Sequence, residues 1–124
     1  MADDRSTVER ALATFIDAFS NLDRPRVEAC FTADATVFNA YGGTRQIGFW
    51  CDEFDAWRAT RPGPPYLRIE PTDLIIQDCG EVVIASFHLH TEPNVERRRT
   101  IVLARQPDGW RIVHLHASNV PKES

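Results

Sequence analysis

Residues 109–121 read G-W-R-I-V-H-L-H-A-S-N-V-P, and the two faces of this stretch decide the fold. A Pro107-Asp108-Gly109 turn signal precedes it, and about ten residues then follow without a breaker. Strand periodicity places Trp110, Ile112, His114, His116 and Ser118 on one side, with Val113, Leu115 and Ala117 on the other. Both sides carry apolar or aromatic bulk, so both require cover. Helices earlier in the chain can supply one cover. A second copy of the protein is the expected source of the other.

The preceding residues extend the same pattern. Val95 to Gln106 and Glu81 to Thr91 read as strands, separated by turns at Glu92-Pro93-Asn94 and Asp78-Cys79-Gly80. Short turns make such neighbours antiparallel. Tyr66 to Gln77 is extended but interrupted at Pro71, which predicts an edge strand or a bulge.

The N-terminal half has a helical period instead. Ser6 and Glu9 form a capping-box pattern, and Val8, Ala11, Leu12, Phe15, Ile16, Phe19 and Leu22 recur as one apolar stripe. Asp23 can cap a second, short helix with Pro25 in its first turn and Val27, Cys30 and Phe31 inside. Ala35 to Asn39 reads as a strand, ended by Gly42-Gly43. Thr44 can cap a third helix carrying Ile47, Trp50, Cys51, Phe54 and Trp57, stopped by Arg61-Pro62-Gly63-Pro64-Pro65. Three helices with one strand among them, then a run of long strands, predict an α+β fold. Its helices pack on one face of a curved antiparallel sheet, with residues 1–124 as a single domain. A long helix over a curved sheet leaves a cone-shaped cavity suited to a small molecule.

Composition narrows the function. With 43% apolar and 26% charged residues, the 124-residue chain is an ordinary globule in its chemistry. A net charge of −4 and the lack of an aromatic-studded basic stripe argue against nucleic acid. No apolar run approaches the roughly 20 residues of a membrane span, and no signal-peptide pattern opens the chain. Cys30, Cys51 and Cys79 are odd in number and lack C-x-x-C spacing, which suits free thiols. The expected location is cytoplasmic.

The order of elements, the closing W-R-I-V-H-L-H-A-S-N-V-P, F-I-D-A-F-S-N-L-D in the first helix and A-D-A-T-V-F before the glycines resemble the nuclear transport factor 2-like superfamily. Within it the chain is similar to SnoaL-like domains and to the association (hub) domain of calcium/calmodulin-dependent protein kinase II. The resemblance implies a cone-like α+β barrel, a pocket between helices and sheet, and dimers or rings built through the outer sheet face. It also sets positions to check, since fold alone does not fix chemistry. Where ketosteroid-isomerase-like relatives carry a general-base aspartate, this chain has Asn39. Where they carry an oxyanion-hole tyrosine it has Phe15, and near their protonated aspartate it has Thr100 or Ile101. That chemistry is therefore not expected. The hub's pocket arginines correspond to His88, about Ile101, and Ala117. Arg99 lies on the same strand side as Ile101 and could restore one charge near the mouth, but Arg97-Arg98-Arg99 reads first as a solvated strand end.

The resemblance turns the side of the strand bearing Ile84, Ser86, His88 and His90 towards the pocket. His88 and His90 are then the expected polar ligand contacts, with Asn39 and Tyr41 bordering the cavity and Trp50 and Trp57 walling it. His114 and His116 form a second H-x-H pair. An intervening strand would hold the two pairs roughly 10 Å apart, and the resemblance puts them on opposite faces, so no metal is expected. No nucleophile, P-loop or dinucleotide motif is present, and no cofactor is expected. Three readings remain. The first is a homodimer binding a small, largely apolar organic molecule. The second is an enzyme of the cyclase, isomerase or hydrolase kind using His88 as acid–base. The third is an assembly module.

Overall fold

The structure, a computed structural model, describes residues 2–40, 44–49, 53–92 and 95–121, without the side chains of residues 2–5 and 90–92. The helices are α1 (Ala2–Ser20), α2 (Arg24–Ala29) and α3 (Glu53–Thr60). The strands are β1 (Phe31–Phe38), β2 (Gln46–Ile47), β3 (Thr72–Asp78), β4 (Val82–Glu92), β5 (Val95–Gln106) and β6 (Gly109–Pro121). Among the described residues they form one sheet in the order β2-β1-β6-β5-β4-β3.

α1 buries Val8, Leu12, Phe15 and Ala18, the inner line of the predicted stripe. It begins four residues before Ser6, so Ser6 does not cap it. Asp23 does cap α2, its Oδ1 accepting the Arg26 N–H at 3.4 Å, with Pro25 in the first turn.

Two segments differ from expectation. Phe31 leaves the second helix and opens β1, four residues earlier than the Ala35 start read from the sequence. The predicted third helix does not begin at Thr44. Gln46 and Ile47 instead pair with Val37 and Thr36 of β1. Gly48 explains the break. Its φ of +75° is not helical, and its N–H donates to the Ala35 carbonyl at 2.7 Å. Only Glu53–Thr60 remains helical, anchored by the buried Phe54.

The sheet is mixed rather than wholly antiparallel, because β1 runs parallel to β6. β6 therefore lies inside the sheet, between β1 and β5. Its alternation is also interrupted. Val102 pairs with His114 and Leu103 with Ile112, which leaves Val113 as an extra residue. Ile112 and Leu115 consequently share the buried side, at 1% and 6% exposure, whereas strict period two separates them. Inner faces of β4 (Val83, Ala85, Phe87, Leu89) and β5 (Ile101, Leu103) complete the core. Over them sits an aromatic cluster in which Phe31 stacks on Phe49 at 4.9 Å and Phe19 meets Phe54 edge-on at 5.2 Å. β3 is both an edge strand and bulged between Thr72 and Ile75, with Asp73 at φ 54°. No helix among the described residues is long and apolar enough to cross a membrane.

Candidate functional site

Between the inner sheet face and the helical layer lies a cavity of ≈ 560 Å³. Phe15, Ile16 and Phe19 of α1 line one wall, and Phe87, Leu89, Ile101, Leu115 and Ala117 of the sheet line the other. Phe49 and Trp57 close one side. An irregular strap, residues 61–71, borders the cavity and contributes Leu67 and Ile69. One α1 carbonyl pins it, since the Tyr66 and Leu67 N–H groups both donate to Ser20 O at 2.9 and 3.0 Å.

The polar lining is cationic. Among the described residues, Arg61, Arg68, Arg97 and Arg99 face the space with Asn39 and a single carboxylate, Glu70. Glu70 is already paired with Arg68 at 3.0 Å. Arg97 and Arg99 alternate in step with Ile101 and Leu103, which places them inside while Arg98 points out. The run is thus not simply a solvated strand end, as the charge pattern alone suggested. Arg99 Nη1 donates to the carbonyls of Arg98 (2.9 Å) and Ser118 (3.2 Å) and to Asn119 Oδ1 (3.2 Å), fixing the head at the end of β6. The Nε of Arg97 is buried. Arg61 stacks over Trp57 at 5.8 Å.

Of the residues singled out from the sequence, Asn39 and Trp57 line this cavity. Tyr41 and Trp50 lie outside the described residues. His88 does not face the cavity, which corrects the expected orientation. Phe87 and Leu89 are buried on the inner side, and a strand's period of two forces His88 outward. Its Nδ1 is 3.5 Å from Asp73 Oδ2 and its Nε2 3.9 Å from Glu96 Oε1, on the outer face. His90 lies on β4, with its side chain outside the described set. The inward set Val83, Ala85, Phe87, Leu89 is wholly apolar, whereas the set with His88 is mixed. That contrast was the available signal.

His114 and His116 share the outer face with His88, not the opposite one, because Arg98 pairs with both His88 and Ser118, and Thr100 with both Ser86 and His116. β5 separates the two pairs, as the strand order requires. His114 Nδ1 lies 2.8 Å from Thr36 Oγ1, and the Phe38 ring sits 5.3 Å from that of His116. Among the described residues no group of three or more His, Cys, Asp or Glu could hold a metal ion.

The chemistry available in the cavity follows from its side chains. Among the described lining residues there is no His, Cys, Ser, Thr, Tyr, Lys or Asp. A nucleophile with an adjacent base cannot be assembled from arginine, asparagine and one ion-paired glutamate. Arginines above an apolar floor can hold an anion attached to an apolar body.

Comparison with known proteins agrees with this architecture. A protein of unknown function from the DUF3225 family of Pectobacterium atrosepticum superposes with a TM-score of 0.73 at 24% identity, covering 97% of this chain and 93% of that one. A nuclear transport factor 2-like protein of unknown function from Pseudomonas putida gives 0.73 at 19%, covering 94% and 86%. The calcium/calmodulin-dependent protein kinase II hub of S. rosetta gives 0.68 at 16%, covering 93% and 95%. At these identities the likeness shows the fold alone. Comparison with curated proteins returns no match. The model of the SnoaL-like domain family matches residues 8–123, and the chain belongs to that family, in its nuclear transport factor 2-like fold.

Proposed function

We propose that the protein binds one small, predominantly apolar organic molecule bearing an anionic group, in the cavity beneath α1. The observation that carries this is the lining itself. Its floor and walls are apolar, and Arg61, Arg68, Arg97 and Arg99 outnumber Glu70 among its charged residues. The polar contacts are therefore arginine and Asn39, in place of the histidines expected from the sequence. The acid–base reading through His88 loses its support, since His88 is on the other face of the sheet. Titration calorimetry with octanoate and octanol tests the proposal. Binding of octanoate, weakened by salt, is the expected result. Failure of both compounds to bind overturns it.

A second reading, self-association as a homodimer, is compatible with the first. Four of the five large apolar side chains that are exposed among the described residues, Phe38, Ile47, Ile75 and Val120, stand on the outer sheet face beside His114 and His116. Six strands at about 4.8 Å and about seven residues at about 3.3 Å make this face roughly 650 Å². A standard interface takes about 800 Å² from each partner. The hub relative supports association in the same fold. Free thiols at Cys30 and Cys79 support the reducing, cytoplasmic setting proposed for both readings. Sedimentation analysis of the wild type and Phe38→Glu checks the dimer. A wild type that stays monomeric at its highest soluble concentration rejects it.

A further inference from the structure

A second hollow, ≈ 470 Å³, opens between α1, the end of α2 and the start of β6. It shares no lining residue with the first cavity. Ala11, Leu103 and Ile112 form its floor. Trp110 is a fixed wall. Its Nε1 donates to Thr7 Oγ1 at 3.2 Å, and Arg105 covers its ring at 4.7 Å. Arg10, Arg26 and Arg111 converge on the space from three different elements, against one carboxylate among the described lining residues, Asp108.

The charges are not simply cancelled. Asp108 holds Arg111 at 2.6 Å. Arg26 is held by Asp17 at 3.0 Å and Asp23 at 3.9 Å, neither of which lines the hollow. Arg10 has neither hydrogen bond nor ion pair among the described residues, which leaves its guanidinium fork available. Cys30 lies on the wall, where burial pushes its thiol pKa up while Arg26 and then Arg111 pull it down.

We infer that this hollow is a second binding site, independent of the first. It takes a small organic anion, a carboxylate or phosphate monoester on a body of about one ring. The anion's oxygens lie between Arg10 and Arg111, and its apolar part lies on Ala11, Leu103 and Ile112.

The test labels the native protein with iodoacetamide and follows Cys30 and the exposed Cys79 separately by peptide mass spectrometry. Phenyl phosphate, benzoate and the neutral benzamide serve as probes. The anions slow labelling at Cys30 by about fivefold or more and leave Cys79 unchanged. Protection by only one of them supports the site and identifies its headgroup. Arg10→Gln abolishes the protection, and Arg10→Lys keeps part of it. The indole N–H resonance of Trp110 moves with the same anions, which gives a readout independent of thiol access. Equal protection by benzamide overturns the inference. So does the absence of both protection and an indole shift with either anion.

Discussion

Ala117→Phe distinguishes a true hollow from a filled core by the sign of its effect. Ala117 lies on the inner side of β6, opposite Arg99, and lines the main cavity. A phenylalanine buries about 150–250 Å², of which roughly 100 Å² is apolar surface newly covered if the ring enters empty space. At about 25 cal/mol per Å² this contributes ~2.5 kcal/mol. Ordering the side chain costs about 1 kcal/mol, leaving a gain of ~1.5 kcal/mol. For a chain of this length that raises Tm by ~6 °C. Ala85→Phe is the control. Ala85 is fully buried opposite Ile101 and does not line the cavity, so the same substitution overpacks there and costs ~1–3 kcal/mol. Thermal and urea unfolding of both variants measures the difference, and octanoate affinity falls in Ala117→Phe. A lowered Tm for Ala117→Phe, matching that of Ala85→Phe, refutes the hollow.

Other expectations follow from single contacts. Thr36→Val removes the hydroxyl beside half-buried His114 and costs ~1–2 kcal/mol, whereas Thr36→Ser retains most of it; equal urea midpoints for the two would discount the bond. The Cys30 thiol has a folded pKa above its ordinary 9.0 because of burial, so its share of stability is intact below pH 9.0 and lost as pH rises through the folded value. Cys30→Ala should flatten that alkaline loss. An unchanged pH profile above 9.0 would contradict the assignment. His88→Ala leaves octanoate affinity within about twofold of wild type, while a loss of about tenfold would return His88 to the binding site.

Local signals carried much of the architecture. The α1 stripe, the Asp23 cap and the turns around β4, β5 and β6 depend on residues near one another in the chain. What escaped the sequence depends on partners. Gly48 fits a helix or a turn equally well until Ala33 and Ala35 of β1 lie beside it. Val113 becomes the extra residue only against Val102 and Leu103. Nothing local announces either.

Site residues divided in the same way. Asn39 follows a short strand into the cavity and was legible by position. His88 was misplaced because the resemblance outweighed the more apolar set beginning at Val83. The charge run 97–99 favours a solvated strand end, although Arg99 shares a strand side with Ile101; the step of two to Ile101 and Leu103 ties Arg97 and Arg99 to the inner face. The strap of residues 61–71 has no period to read, and its place comes from one carbonyl on Ser20.

The interior position of β6 has a consequence during synthesis. The last strand to leave the ribosome is the one that joins β1 to β5, so a nascent chain stalled before Gly109 holds two sheet fragments with no template between them. Its early strand must wait with an unsatisfied edge until β6 is made, exposed to chaperones and to other unfinished chains. Closure of the sheet is therefore expected to be slow, because its decisive pairing joins residues 31–38 to residues 112–116.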